Sequence, residues 1–195
     1  MKWSRHFGEI MTIAGAALLA SCESATVPDR IRDEPFNFTE IRELAKGIGS
    51  LSPSADAVRI NQLRDKTPRV SDLYGQALAR FEGIYGEGIG PAKGQPDYQE
   101  CKRAFHGVSA VIGAPAFDAQ QADLSPLWSA LEKCHDAAKR WSGPTEMATF
   151  GHDLKSMTQG SMLVASYAAA LLDSGEGVKL YKKFEAIEVQ DNGAI

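Results

Sequence analysis

From residue 145 to residue 172, Met147, Phe150, Leu154, Met157, Ser161, Val164, Ala168 and Leu171 recur at alternating intervals of three and four. That spacing lines them along one side of a helix with 3.6 residues per turn and is incompatible with a strand, whose sides alternate every residue. Within it, residues 162–172 are apolar on almost every side. Such a segment belongs either at the centre of a helical assembly or on a surface that a partner covers, and Met162, Leu163, Tyr167 and Leu171 are what that surface would present. It is too short to span a bilayer, which needs about 20 residues.

The rest of the folded part has the same period. Thr39 opens a first helix with Ile41, Leu44, Ala45 and Ile48. Ser54 is placed to cap a second with Ala55, Val58 and Leu63. Ser71 opens a third with Leu73, Ala77, Leu78, Phe81 and Tyr85, ending in the glycine-rich stretch 86–94. A fourth, near 97–112, has the seam Tyr98, Cys101, Phe105, Val108 and Ile112. Ser125 and Pro126 form an N-cap and first-turn pair for a fifth, with Leu127, Leu131, Cys134, Ala138 and Trp141 on one face and Trp128 beside it. The long helix follows from about Thr145, and a last amphipathic piece covers 178–187. No period-two pattern bounded by turns occurs, and no internal repeat. The expectation is an all-α, single-domain bundle of six or seven helices; 195 residues suit one domain, and 44% hydrophobic residues supply its core.

Ahead of the bundle stands a different kind of segment. Lys2, Arg5 and His6 make a short positive start, residues 10–20 make an apolar run, and small residues lead to Cys22. A run of this length fits a signal-peptide core rather than a membrane span. The tetrapeptide Leu19-Ala20-Ser21-Cys22 resembles the lipobox of bacterial lipoproteins, a resemblance limited to these first residues. It implies diacylglyceryl transfer to the Cys22 thiol, cleavage before Cys22 and fatty acylation (palmitate or similar) of the new amino group. Two or three chains make such an anchor durable where one is marginal. The domains are then a signal peptide at 1–21, a lipidated cysteine and flexible tether at 22–36, and a bundle at 37–195. The tether reaches about 40 Å when extended. Glu23, in place of the aspartate linked to inner-membrane retention, favours the outer membrane facing the periplasm.

Export bears on the other two cysteines. Cys101 and Cys134 each lie mid-seam on consecutive helices, and in an oxidising compartment an even pair reads as a disulfide. Cys101, His106, Cys134 and His135 hold the atoms for a zinc site. However, His106 sits about 140° round the helix from Cys101, and His135 is adjacent to Cys134. No metal and no other cofactor is expected.

Catalytic signals are generic. Gly160-Ser161-Met162 falls inside a helix rather than at a nucleophile elbow. His152 and Asp153 are neighbours on a helix and do not face one another. Asp118 and Asp123 lack a calcium-loop spacing, and Lys93 is followed by Gly94 rather than the Ser or Thr of a phosphate loop. Trp128, Trp141, Tyr167, Tyr181 and Phe184 fit a core better than a ligand groove. The 179–184 stretch, with Lys179, Tyr181 and Phe184, reads as an amphipathic edge. The net charge is −4, and −5 without residues 1–21, which leaves 19 basic side chains against 24 acidic. That balance excludes a nucleic-acid partner and gives no support to adhesion of the domain to an anionic membrane. The sequence therefore points to a membrane-tethered, non-enzymatic lipoprotein with another envelope protein as partner. A small-molecule carrier with an apolar pocket, or an envelope hydrolase using His152, are the alternatives.

Overall fold

A computed structural model describes residues 36–52, 57–86, 94–113, 124–143 and 147–192. The signal peptide, Cys22, the tether up to residue 35, Ser54, Ala55, Lys93, Asp118, Asp123 and Thr145 lie outside these residues. The described residues form six α-helices and one 3-10 turn, with no strand, so the chain is an all-α multi-helix bundle. The helices are α1 (Thr39–Ala45), α2 (Ala57–Tyr85), α3 (Pro96–Gly113), α4 (Ser125–Trp141), α5 (Ala148–Leu172) and α6 (Ser174–Asn192), with the 3-10 turn Ile48–Ser50 after α1.

α5 is the axis of the fold. It packs against α1, α2, α3, α4 and α6, and every residue from Gly160 to Leu171 is buried. Met162, Leu163 and Tyr167 are wholly inside and Leu171 nearly so. This corrects the partner-surface reading of those four residues: they are core, because the neighbouring helices close round the segment. Small residues permit the close approach. A Cβ on Gly177 of α6 would lie 2.3 Å from the Ala170 Cα of α5, and one on Gly151 would lie 2.4 Å from the backbone of Ser142. A Cβ on Gly160 would lie 2.2 Å from the Phe38 ring.

The second and third helices expected from sequence are one. α2 runs 29 residues without a break and contains Pro68 in its interior. A proline there lacks a donor and crowds the carbonyl four residues back, so the preceding turn is loosened. The carbonyl of Leu63 in that turn accepts hydrogen bonds from Thr67 Oγ1 at 3.3 Å and from the buried hydroxyl of Tyr167 on α5. Burial pushes the Tyr167 hydroxyl up to about 12, so it stays protonated and able to donate. A tertiary bond thus supports the helix where local propensity would end it.

Other boundaries moved for similar reasons. α1 stops at Ala45, and Gly47, at φ 102°, turns the chain into the 3-10 segment. Its start is held by Asn37, whose Oδ1 accepts from the Thr39 N–H at 2.9 Å. Ser125 is already helical, and the position before it, Leu124, is the cap. Asp173 Oδ1 accepts from the N–H groups of Gly175 and Glu176, which lets α6 begin across the two glycines expected to interrupt it. α6 then continues to Asn192, five residues past the expected end.

Aromatic rings tie the N-terminal segment to the bundle. Phe81 on α2 sits against Phe36, Tyr85, Tyr98 and Phe105, and Phe150 on α5 against Tyr85, Tyr98 and Trp141. Phe36, placed in the tether by sequence, is therefore part of the folded domain. Cys101 on α3 and Cys134 on α4 are joined by a disulfide with Cα atoms 5.4 Å apart.

Three variants test this packing. Gly177→Ala forces the α5 and α6 backbones apart and is expected to destabilise by about 1–3 kcal/mol. Gly75→Ala, in α2 with nothing within 4 Å of the new Cβ, is expected to stabilise by up to about 1 kcal/mol. Denaturant midpoints of opposite sign would support the axis described, and equal effects would not. Replacing Cys101 and Cys134 together with alanine opens a crosslink spanning 33 residues and is expected to cost about 3–4 kcal/mol by the same measurement.

Candidate functional site

The residues weighed for chemistry are dispersed by the fold. His152 lies exposed on the outer side of α5, while Asp153 beside it accepts a hydrogen bond from the Tyr85 hydroxyl. His106 points outward from α3 to Glu82 at 2.7 Å, with Lys102 3.5 Å from the same carboxylate. Cys101 and Cys134 are joined to each other, which leaves no thiolate to hold a metal. Among the described residues, no group of three or more His, Cys, Asp or Glu side chains is placed to hold a metal ion. Ser161 donates to the Met157 carbonyl at 2.7 Å and lies 2.8 Å from the Tyr74 hydroxyl, which also donates to the Phe105 carbonyl. It is a core serine that links α5 to α2 and α3. Trp128, Tyr167, Tyr181 and Phe184 are buried, and Trp141 packs on Phe150.

The fold instead assembles a polar cluster that no sequence pattern announced. Asp191, in the last turn of α6, has a side chain only 3% exposed. Its Oδ2 accepts from Gln159 Nε2 at 2.8 Å and lies 3.2 Å from Lys155 Nζ, both on α5. Its Oδ1 lies 3.3 Å from Lys139 Nζ on α4. His135, also on α4 and buried, brings Nε2 to 3.4 Å from Asp191 Oδ2, yet neither ring nitrogen makes a hydrogen bond among the described residues. One carboxylate on α6 thus gathers two ammonium groups, an amide and an imidazole from α4 and α5.

The clue to both buried residues was spacing. Trp128, Leu131, His135 and Ala138 follow at three, four and three, as do Tyr181, Phe184, Glu188 and Asp191. His135 and Asp191 are polar residues continuing apolar faces. Beside the disulfide residue Cys134, His135 was weighed only as a ligand, and Asp191 lay past the expected end of its helix.

Burial disfavours the imidazolium form of His135. Asp191 opposes that effect and Lys139 and Lys155 reinforce it, leaving the imidazole below its ordinary range. Burial acts to raise the Asp191 carboxyl but is outweighed by His135, Lys155 and Lys139, so it is held below the usual carboxylate range. With the imidazole enclosed, the arrangement works as a clamp holding the end of α6 to α4 and α5, not as a base presented to a substrate.

The described fold defines a class: a disulfide-stapled α-helical bundle with a buried ionic clamp. No family model, curated protein or solved structure matches the chain.

The clamp has a pH signature. Because the folded His135 pKa is lowered, the unfolded chain takes up a proton near pH 6.5 that the folded chain resists, so stability falls as pH drops below that value. Asp191 acts in the same direction at lower pH: its contribution is present above the ordinary carboxylate pKa and is lost as pH falls through its lowered folded value. Below about pH 6.5 the slope from His135 is expected to approach, at most, about 1.4 kcal/mol per unit. His135→Leu should flatten it, as read from urea midpoints on the acid side of that value; an unchanged slope would contradict a buried neutral histidine. Asp191→Asn leaves the lysines without their carboxylate and is expected to cost about 2–3 kcal/mol at neutral pH.

Proposed function

We propose that this chain is a lipoprotein of a bacterial cell envelope, attached through Cys22 and acting as a non-enzymatic binding component of an envelope or secretion assembly. The observation that carries the reading is the stretch Leu19-Ala20-Ser21-Cys22 behind a basic start and a short apolar run. The Cys101–Cys134 disulfide supports it independently, since such crosslinks persist in oxidising compartments and are rare in a reducing cytosol. The enclosed clamp and the core position of Ser161 support a binding role over a hydrolytic one. Glu23 after the anchor favours the outer membrane, with the bundle facing the periplasm. The aromatics that a carrier of small molecules would need around its ligand are spent on the core.

A photo-crosslinking residue on the exposed face of α2, introduced in cells, tests this reading. A discrete protein adduct is expected with the lipidated chain. It should fall by roughly tenfold or more in Cys22→Ala, because tethering sets the local concentration. Equal adducts with and without Cys22 would contradict a tethered component.

A further inference from the structure

The net charge conceals a local cluster of opposite sign. A groove between the Gly47–Leu51 turn and the first turns of α2 is lined by Lys46, Arg59, Gln62, Leu63 and Lys66, and among the described residues no carboxylate lines it. Arg59, Gln62, Leu63 and Lys66 fall on one side of the helix, at intervals of three, one and three. Elsewhere the surface cations are mostly matched: Arg42 with Glu188, Arg69 with Glu40, Arg140 with Asp97, Lys179 with Glu176. Lys46 has Glu43 at 2.5 Å, whereas Arg59 and Lys66, like Arg64, Arg103, Lys133 and Lys182, have no ion pair with a carboxylate among the described residues. Arg59 and Lys66 share one groove with Lys46, a setting complementary to an anion.

The placement of the groove selects the anion. Between residues 57 and 69 of α2 only Leu63 is buried, so this part of the helix is exposed on most of its sides, and Val58 near its start is 58% exposed. Cations with an exposed aliphatic residue beside them suit the headgroup boundary of a membrane. The tether joins at Phe36, and the groove begins at Lys46, one seven-residue helix, or about 10 Å, further on. A tether of about 40 Å lets a chain held at Cys22 bring this end to the bilayer.

We propose, resting on the lipid-tether reading, that this groove binds the phosphate of an anionic phospholipid and lays the start of α2 against the membrane that holds Cys22. The guanidinium of Arg59 takes the phosphate oxygens in its planar fork, and the ammonium groups of Lys46 and Lys66 neutralise them.

The full mature chain, extracted from membranes, is offered nanodiscs of phosphatidylcholine alone or of phosphatidylcholine with phosphatidylglycerol. Hydrogen exchange is then followed over residues 57–66. Exchange about tenfold slower in the anionic discs is expected. The protection should be lost in Arg59→Glu/Lys66→Glu and at high salt, while the exposed-face variant Lys182→Glu on α6 keeps it. Co-elution with both discs but equal exchange would overturn the groove and leave the tether intact. Co-elution with the anionic discs alone would support the groove and overturn the tether, and co-elution with neither would overturn both. Protection by inorganic phosphate without anionic lipid would overturn the membrane as the source of the anion.

Discussion

Everything in this bundle is arranged round a helix whose C-terminal half has no outward face. α5 is enclosed along residues 160–171, and enclosure demands that neighbours approach on all sides. Side-chain volume sets how near they can come. Glycine and alanine carry the closest approaches, at Gly151, Gly160 and the Gly177–Ala170 contact. Tyrosines on α2 and α5 then satisfy polar groups that such packing would otherwise strand, Tyr74 between Phe105 and Ser161, and Tyr167 at the Leu63 carbonyl. The disulfide and the Asp191 clamp fasten the surrounding helices to one another, one joining α3 to α4 and the other holding the end of α6.

The fold class was legible because periodicity is a local property. The seams of α3, α4 and α5 could be read residue by residue, and the Cys101–Cys134 pairing followed from their positions mid-seam. What could not be read depended on tertiary partners. Pro68 has the local signature of a break, and the Tyr167 bond that offsets it comes from 104 residues away. Whether 162–172 was core or interface turned on how many helices surround it, which no single stripe records. The ionic clamp was hidden for the same reason: His135 and Asp191 acquire meaning only when three helices bring them together.

The functional reading stands on two kinds of information. The proposed anchor is read from the first residues, as a pattern of charge, apolar length and a cysteine. The bundle contributes an oxidised crosslink, an enclosed polar cluster and a groove lined by three cations, one of them paired with Glu43. Net charge was a poor guide to the last of these, because at short range an unscreened local cluster outweighs a distant surplus of opposite sign. A tethered domain with a cationic groove near its attachment would have both its height and its orientation above the membrane constrained, which narrows what a partner can meet.

The most direct measurement is the intact mass of the chain purified from cell membranes, before and after reduction. The account predicts a protein beginning at Cys22, heavier than its sequence by two or three acyl chains, and gaining two hydrogens when the Cys101–Cys134 bond is reduced. A chain retaining Met1, or one cleaved with an unmodified thiol at Cys22, would contradict it.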